Sequence, residues 1–342
     1  MAKTVILADF NWIMIRSAFR FNEFKITEND TDIYTGSVYG CLEFAKTIIE
    51  NYENVEIYFC LDGKPKRRLE ILPTYKGKRH ENEPKPEIAA AKSLAEEPVK
   101  ILSAVPNIHF IKDPEREADD LMAMISFREL GKGRKPIIFS GDKDMLQLQQ
   151  FGIDIAKNIE EGKLLVLGEN YTTAHKDLGV PPEELLYLRV LEGDRSDCIP
   201  GAAFKGCRDE IKRAFASAWF NSKDRHLENF DKIVEDCIPI INEVFSGDKA
   251  RKNNIEKLKT IKNDCLRNLE LMELDIYHPI YEAYKNYKET RDKSVLNEVK
   301  QDFQLNNIKL VEYDIDEDDI INSLDRLDLG RFKAWLSYNN YI

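Results

Sequence analysis

Several features that would place this chain in other protein classes are missing from its sequence. No apolar run approaches the roughly 18 residues needed to cross a bilayer, and no signal-peptide zones precede the first predicted strand. The six cysteines form no CxxC pair and no zinc-like spacing. We therefore expect a soluble, cytoplasmic protein with reduced thiols and no membrane partner.

The charge balance is strongly acidic. The formal net charge is −11, which at first argues against a nucleic-acid partner. Binding depends on the local distribution of charge, however, and bound divalent ions would offset part of the acidic excess. A nucleic-acid partner therefore remains possible.

The first half alternates short β-branched runs with helical segments, which predicts βαβ units and an α/β fold with a parallel sheet. Strands are predicted at 5–9, 55–61, 108–111 and 136–140, helices near 37–51 and over 115–130, and a long helical excursion between the second and third strands. The second half is mainly helical. At 342 residues we expect two lobes, an α/β domain over 1–180 and a helical domain over 181–342.

Acidic side chains follow the predicted strands. They are Asp9, Asp62, Glu117, Asp119, Asp120, Asp142 and Asp144. Because ligands of parallel sheets bind at the carboxyl ends of the strands, we expect these acids to converge in one crevice. At an effective dielectric of about 20, two like charges about 4 Å apart repel by roughly 4 kcal/mol, so such a cluster requires protonation or cations.

The donor type indicates which cations would bind. The acidic motifs contain no histidine or cysteine, and hard carboxylate oxygens select magnesium or manganese. Two such ions about 3.5 to 4 Å apart can bind one phosphate, generate hydroxide and stabilise the leaving oxygen. A further pair, Asp194 and Asp197, lies in a loop rich in turn residues. The pattern predicts phosphodiester hydrolysis at a two-metal site.

A simpler interpretation exists for single acids, because an aspartate after a strand can be only the N-cap of the next helix. Capping explains one acid per helix and leaves the second of each close pair unexplained. On the predicted helix 115–130, Glu117 and Asp119 flank the apolar stripe, whereas Asp120 points away from that stripe. Asp120 is kept among the candidate metal residues, but we expect it to act through water or only to favour the helix N-terminus.

Two basic runs follow Asp62. They contain Lys64, Lys66, Tyr75, Lys76, Lys78 and Arg79. Basic runs are commonly solvated faces, but these begin close to a proposed metal ligand, where a phosphate backbone would enter. We expect Lys76 and Arg79 to hold the scissile phosphate and Tyr75 to suit an unstacked base.

A second basic group follows the Pro200-Gly201 turn, at or near the start of another predicted helix. Its members are Lys205, Arg208, Lys212 and Arg213. Cations and backbone amides at a helix start can hold duplex phosphates without reading sequence. An exposed basic helix face is an equally open alternative.

In combination, five motifs resemble the five-prime nuclease and flap endonuclease family. They are Asp9-Phe10-Asn11, Leu61-Asp62-Gly63 with the segment 72–79, Glu117-Ala118-Asp119-Asp120, Ser140-Gly141-Asp142-Lys143-Asp144, and the segment 193–201. They occur in the family's order within residues 1 to about 215. The chain size and long helical C-terminal part are most similar to the ribonucleases H of T-even-like bacteriophages.

The resemblance implies a PIN-like sheet and a C-terminal lobe with a helix–three-turn–helix element starting at Pro200-Gly201. It also implies a magnesium-dependent 5′-3′ exonuclease and flap endonuclease with ribonuclease H activity, which removes RNA primers and adjacent DNA during lagging-strand replication. Two Mg²⁺ ions are implied, for which Mn²⁺ can substitute. The first metal group would be Asp9, Asp62, Glu117 and Asp119, and the second Asp142, Asp144, Asp194 and Asp197.

The same resemblance implies the partners. Residues of about 63–105 would form an arch over a single-stranded 5′ end, and the substrate would be DNA or an RNA–DNA hybrid with a 5′ end or flap. A monomer is expected, in the host cytoplasm if phage-encoded, with single-strand-binding protein or other replication proteins as partners. One departure concerns the hairpin after Pro200-Gly201, which keeps only Gly206 of the usual glycine pair.

Three alternatives remain at this point. A catalytically inactive nucleic-acid-binding homologue would be expected to have lost some of the acids, and none is missing. A flap endonuclease of repair would share all the motifs. A small-substrate phosphatase or kinase would need a nucleophilic Asp motif or a G-x-x-x-x-G-K-[ST] loop, and the latter does not occur.

Overall fold

The computed structural model describes residues 3–80, 83–167, 180–274, 309–311 and 316–342. The elements up to residue 167 are β1 (Thr4–Asp9), α1 (Phe10–Arg20), β2 (Lys25–Glu28), β3 (Thr31–Tyr34), α2 (Gly36–Asn51), β4 (Val55–Leu61), α3 (Lys66–Ile71), α4 (Pro86–Ser93), α5 (Glu96–Leu102), β5 (Ile108–Lys112), α6 (Ala118–Gly131), β6 (Pro136–Phe139), β7 (Asp154–Glu160) and β8 (Lys163–Val166). Short 3₁₀ segments cover Gly77–His80 and Lys143–Phe151.

The later elements are mainly helices. They are α7 (Leu185–Glu192), β9 (Gly193–Asp194), β10 (Ile199–Pro200), α8 (Asp209–Ser222), α9 (Phe230–Asp236), α10 (Ile238–Val244), α11 (Asp248–Leu258), α12 (Lys262–Met272), β11 (Lys309–Leu310), α13 (Glu317–Arg326) and α14 (Gly330–Tyr338). A 3₁₀ turn, Pro182–Glu184, leads into α7. Among the described residues, no helix is both long and apolar enough to cross a membrane.

The central sheet has seven strands in the order β11-β5-β4-β1-β6-β7-β8. The five inner strands are parallel, and β11 and β8 add antiparallel edges. After β5 the chain returns past β1 to form β6 on its other side, so the direction of winding reverses beside β1. The carboxyl ends at such a reversal form the crevice in which ligands of α/β sheets bind.

Two apolar cores cover the faces of the sheet. Val5 and Leu7 of β1 point into one, together with α6, α7, α8 and α12. Ile6 and Ala8 point into the other, together with α1, α2, α5, α13 and α14. Because successive side chains of a strand face opposite sides, a strand buried on both faces is apolar throughout, as β1 is up to its final aspartate.

The predicted α/β class is confirmed, with a mainly parallel sheet flanked by helices and a helical C-terminal part. The four predicted strands are found within a residue of their predicted ends. The helix α1, the β2–β3 hairpin and the strands β7 and β8 were not predicted from the sequence. The predicted helical excursion consists of α3, a 3₁₀ turn, α4 and α5, with residues 81–82 outside the described part.

Two observations bear on the predicted domain limits. The helices α13 and α14 pack on the sheet of the first lobe, through Ile320, Leu324 and Phe332 among others. Val99 and Leu102 of α5 are buried in the same core, so this end of the segment 63–105 packs on the core and does not form part of an arch. The division at residue 180 remains a prediction.

Gly63 allows the loop after β4 to approach the loop after β5. Its N–H donates to the carbonyl oxygen of Arg116 at 2.7 Å. A Cβ at this position would clash with the carbonyl oxygen of Asp113 and would lie 2.7 Å from that of Arg116. These two loops carry Asp62 and Glu117, so the spacing of the two acids depends on this close backbone contact.

We predict that Gly63→Ala destabilises the fold by about 1–3 kcal/mol, since the added methyl group must push two backbones apart. Gly77→Ala is the matched control, because a Cβ there meets nothing within 4 Å. Urea unfolding of both variants measures the difference. Equal stabilities of the two variants would contradict the prediction.

Candidate active site

The acidic residues that the sequence predicts lie at the carboxyl ends of β1, β4 and β6 and at the start of α6. Asp9 is the N-cap of α1, and its Oδ1 accepts from Trp12 N at 2.9 Å. Asp142 is the N-cap of the 3₁₀ segment that follows β6, and its Oδ1 accepts from Asp144 N at 2.8 Å. Both aspartates thus cap a helix with one oxygen, as the simpler interpretation supposes, and each also lies in the crevice.

Two neutral residues orient the buried acids. Ser140 is fully buried and donates from Oγ to Oδ2 of Asp9 at 3.1 Å. Asn11 donates from Nδ2 to Oδ2 of Asp62 at 2.6 Å, while Oδ1 of Asp62 accepts from Ala118 N at 2.8 Å. Asp62 therefore connects the first turn of α1 with the start of α6. Asn11 and Ser140 stand inside the quoted motifs, yet no property of the sequence gave them a role.

Four of the predicted acids form one electrostatic group: Asp9, Asp62, Asp119 and Asp142. The pKa of Asp9 is raised from 3.8 to about 7, mainly by burial and also by the nearby Asp62 and Asp142, while the hydrogen bonds from Trp12 and Ser140 oppose the shift. Burial also raises the pKa of Asp119 well above its usual range, with Asp142, Asp9 and Asp62 contributing. The fold thus holds these carboxylates close together at a cost that cations or protons would relieve.

Glu117 lies beside this group and is surrounded by donors. Its Oε2 accepts from Arg68 Nη1 and from Tyr75 OH, each at 2.9 Å, and its Oε1 pairs with the Lys76 ammonium. Tyr75 OH also lies 3.1 Å from Oδ2 of Asp197, and Lys76 Nζ lies 3.8 Å from the same oxygen. The structure therefore places Asp197 next to Glu117.

The peptide at Lys76 has an unusual conformation. Its φ is +55°, in the left-handed region, and its N–H donates to the carbonyl oxygen of Asp197 at 2.9 Å. Its ammonium lies 5.3 Å from the centre of the Tyr75 ring. Main chain and side chain together direct this cation into the acidic crevice.

The expected role of Asp120 as a metal ligand does not agree with the structure. Asp120 is 1% exposed, and both of its oxygens accept from the guanidinium of Arg68, one of them from Nη2 at 2.8 Å. Helical spacing places Asp120 away from the apolar stripe, but the structure buries it, and Asp120 and Glu117 share Nη1 of Arg68. No local pattern in the sequence indicates that a buried arginine binds Asp120.

A second pair of acids is joined by an arginine. Arg189 of α7 donates from Nε to Oδ1 of Asp144 at 3.2 Å and also pairs with Asp194. Burial, followed by Asp142, raises the pKa of Asp144 to about 7, and Arg189 partly opposes this. Burial acts to raise the pKa of Asp194 as well, but hydrogen bonds from Ser196 and Arg189 hold it below its usual range. Arg189 was also missed, because it stands among the leucines of an apolar helix pattern.

The donor chemistry of the crevice fits hard divalent ions, because every candidate ligand is a carboxylate. The pKa values of Asp9, Asp119 and Asp144 are raised by burial first and by neighbouring aspartates second, so a cation in the crevice would favour their ionised forms. Among the described residues, however, no three acid, histidine or cysteine side chains are arranged so that they could hold a metal ion. In this structure the cations of Lys76 and Arg189 lie among the acids instead.

The predicted nucleic-acid contacts differ in their exposure. Lys64, Lys66 and Lys78 are exposed, and Lys66 pairs with Glu115 at 2.9 Å. Tyr75 is only 6% exposed and binds two carboxylates, so the expectation that it stacks on a base is not supported. The side chain of Arg79 lies outside the described part.

The second basic group precedes and enters α8. Lys205 and Arg208 are exposed and lie before its first residue. The guanidinium of Arg208 lies 5.0 Å from the centre of the Phe245 ring, and Lys212 pairs with Asp209 at 2.9 Å. The strands β9 and β10 pair in the connection between α7 and α8, where the helix–three-turn–helix element is predicted.

We predict that Asp9→Asn stabilises the metal-free protein at pH 8 more than at pH 5. The pKa of Asp9 is about 7 in the fold and near its ordinary 3.8 in the unfolded chain. The wild-type fold is therefore penalised increasingly as the pH rises from about 4 to 7, by at most about 4 kcal/mol. Asparagine removes this penalty and can still cap α1.

Thermal unfolding in EDTA at the two pH values measures the effect. Asp248→Asn, at a side chain that is 89% exposed, is the control. A Tm gain for Asp9→Asn that does not grow with pH would contradict the assignment.

Comparisons with known proteins agree with this fold. Residues 4–175, half of the chain, match the family model of the 5′-3′ exonuclease N-terminal resolvase-like domain. The 5′-3′ exonuclease of Buchnera aphidicola subsp. Schizaphis graminum is 28% identical over 286 residues, covering 81% of this chain and 88% of that protein. DNA polymerase I of Bacillus subtilis is 28% identical over 281 residues, which are 81% of this chain and only 28% of the polymerase.

Solved structures show the same architecture. The T5 D15 protein co-crystallized with metal ions has a TM-score of 0.52 at 20% identity, covering 88% of this chain and 98% of that one. The T5 D15 flap endonuclease in a pseudo-enzyme-product complex with DNA and metal ions also has a TM-score of 0.52, at the same identity, and 97% of that chain is covered. At this identity the likeness shows the fold alone, whereas the match of the family model shows that the chain belongs to the 5′-3′ exonuclease family.

Proposed function

We propose that this chain is a metal-dependent nuclease that hydrolyses phosphodiesters near 5′ ends, as an exonuclease and flap endonuclease. Its substrates would be DNA and RNA–DNA hybrids with a 5′ end or flap. The observation that carries the proposal is the electrostatic group of Asp9, Asp62, Asp119 and Asp142 at the carboxyl edge of the parallel sheet. Membership of the family supports the reaction class.

We propose two Mg²⁺ ions as cofactors, with Mn²⁺ able to substitute. The first group of ligands would be Asp9, Asp62, Glu117 and Asp119, and the second Asp142, Asp144, Asp194 and Asp197. Asp120 is omitted because Arg68 engages both of its oxygens. Ions of this kind, when bound, lower the pKa of water and neutralise charge on the phosphate and the leaving oxygen.

The protein's own cations would complete the phosphate site. Lys76 is held among the acids by its backbone and its ion pairs, so its ammonium is available to offset charge that develops on the phosphate. We propose the same role for Arg79. Exposed lysines at 64, 66 and 78 would attract the single strand, and Lys205, Arg208 and Lys212 the duplex phosphates.

The biological task proposed is the removal of RNA primers and adjoining DNA in lagging-strand replication, with ribonuclease H activity. Two relatives support this setting by their names, one being a 5′-3′ exonuclease and the other a DNA polymerase I. We expect the chain to act as a monomer, in contact with single-strand-binding protein or other replication proteins.

A cleavage assay on a 5′-labelled flap tests the proposal directly. We expect cleavage with Mg²⁺ or Mn²⁺ and none after EDTA is added. Binding of the flap without cleavage under any metal condition would identify a non-catalytic homologue instead. Product lengths from an end-labelled RNA-primed duplex then report whether the primer is removed and in what steps.

We predict that Asp142→Asn lowers the single-turnover rate by at least about 100-fold, the scale of losing one preorganised charge in an active site. Asparagine preserves the helix cap, so the fold should be retained. The dissociation constant for the flap in EDTA should stay within about threefold, because phosphate affinity comes mainly from the basic residues. Asp248→Asn provides the control, and an undiminished rate in Asp142→Asn would exclude Asp142 from the site.

A further inference from the structure

Arg68 is a buried arginine that the function proposed above does not use. It is 6% exposed and makes five hydrogen bonds: to Glu117, twice to Asp120, and to the carbonyl oxygens of Leu271 and Glu273. A guanidinium has five N–H donors in one plane. Each donor of Arg68 is thus engaged, and the plane can turn only if several of these bonds break.

The bonds of Arg68 connect the active site with a distant part of the chain. Nη1 donates to Oε2 of Glu117 at 2.9 Å, and Nε donates to the carbonyl oxygen of Leu271, also at 2.9 Å. Leu271 lies in the last turn of α12. We call residues 270–274, which comprise the end of this helix and the two residues after it, the α12 turn. Glu117 is therefore joined to a helix of the C-terminal part through a single side chain.

The α12 turn is itself held from several directions. Arg67 donates from Nη1 to the carbonyl oxygen of Glu270 at 2.7 Å, and Arg225, in the loop after α8, pairs with Glu273. Gln147, three residues after Asp144, accepts from Leu274 N at 3.3 Å. These contacts make the α12 turn a fixed support against which Arg68 rests.

The helix α12 is also attached to α7 and to the β9–β10 turn that follows it. Nδ2 of the buried Asn268 donates to the carbonyl oxygens of Val190 and Pro200, at 3.0 and 2.6 Å. Val190 belongs to α7 and Pro200 to the β9–β10 turn. The helix that supports Arg68 is thus hydrogen-bonded to the connection between α7 and α8, in the region proposed to bind duplex.

Net stability is not a sufficient explanation of the buried group formed by Arg68, Glu117 and Asp120. The desolvation of such ions largely cancels their attraction, and apolar residues in their place often stabilise a protein as well or better. What apolar residues cannot supply is a defined direction for a carboxylate. Oε2 of Glu117 accepts from both Arg68 and Tyr75, and Oε1 pairs with Lys76, so the position of Arg68 influences how far the carboxylate turns toward the crevice.

We propose that Arg68 is a positioning residue for the reaction, which orients Glu117 from a base formed by Asp120 and the α12 turn. Asp120 binds the guanidinium in a two-pronged pair and so fixes its plane. The inference rests on the proposed nuclease function and assigns Asp120 a place in it without contact with a metal ion or substrate.

Arg68→Lys and Arg67→Lys form a matched pair of variants. Both change an arginine of α3 that donates to the α12 turn, and both keep the charge. Arg68 donates to the carboxylates of Glu117 and Asp120, whereas Arg67 donates to the carbonyl oxygens of Glu270 and Glu273. Lysine is a point charge and cannot reproduce the planar set of donors. We expect Arg68→Lys to lower the single-turnover rate at saturating enzyme by about 10- to 100-fold, since a displacement of about 1 Å has such effects. Arg67→Lys should leave the rate within about threefold of wild type on the same scale.

Three further measurements separate positioning from folding and from binding. The dissociation constant of a flap in EDTA and the Tm in EDTA should be alike in the two lysine variants. Crystal structures of the metal-free variants should show the Glu117 carboxylate turned in Arg68→Lys and unmoved in Arg67→Lys. Asp120→Asn keeps the shape of the side chain and should lower the rate about 10-fold. This variant provides the test if Arg68→Lys does not fold.

The outcomes are distinguishable. A wild-type protein that does not cleave would overturn the proposed function, while the orientation of Glu117 in the crystals would still decide the positioning claim. Equal loss of rate in both lysine variants, or an unmoved Glu117 together with wild-type rates in Arg68→Lys and Asp120→Asn, would overturn the role of Arg68.

Discussion

The repulsion among buried carboxylates at one edge of the sheet is the constraint on which the rest of the site depends. A parallel sheet with this strand order brings the ends of β1, β4 and β6 side by side, and each end continues into an acid. The pKa values of Asp9 and Asp119 rise because these groups are desolvated together. Every cation near the crevice can be understood as a response to this charge.

Three cations lie among these acids, and each contacts two of them. Lys76 lies between Glu117 and Asp197, Arg68 between Glu117 and Asp120, and Arg189 between Asp144 and Asp194. The consequence is mechanical as well as electrostatic. The loop after α3, the start of α6 and the helix α7 are joined through charges, so the helical part of the chain is attached to the sheet at the reacting end.

The sequence was sufficient for the sheet and for the group of acids, because both follow from local patterns. Short β-branched runs ending in an acid predict parallel strands and a common edge, and helical periodicity separated Asp120 from Asp119. The supporting partners were not predictable in this way. Arg68, Arg189 and Asn11 acquire their roles only when segments far apart in the chain meet, and a single sequence does not report which buried cation faces which acid.

Local sequence patterns also failed to predict which side chains and helices are buried. Tyr75 stands among lysines in the chain, which indicates an exposed surface, yet its ring packs in the core and its hydroxyl binds Glu117 and Asp197. Likewise, the helices near the C-terminus gave a poor functional signal, and α13 and α14 turn out to cover one face of the sheet. In both cases tertiary packing decided what composition alone could not.

The left-handed backbone of Lys76 lowers the stability of the fold while it places the side chain in the crevice. A residue with a Cβ costs about 1 kcal/mol or more in this conformation, whereas glycine adopts it without strain. Evolution for thermal robustness alone would therefore favour glycine there, at the expense of the ammonium that enters the crevice. The strain at Lys76 is the cost of placing an ammonium group among the acids, where the proposed reaction would use it.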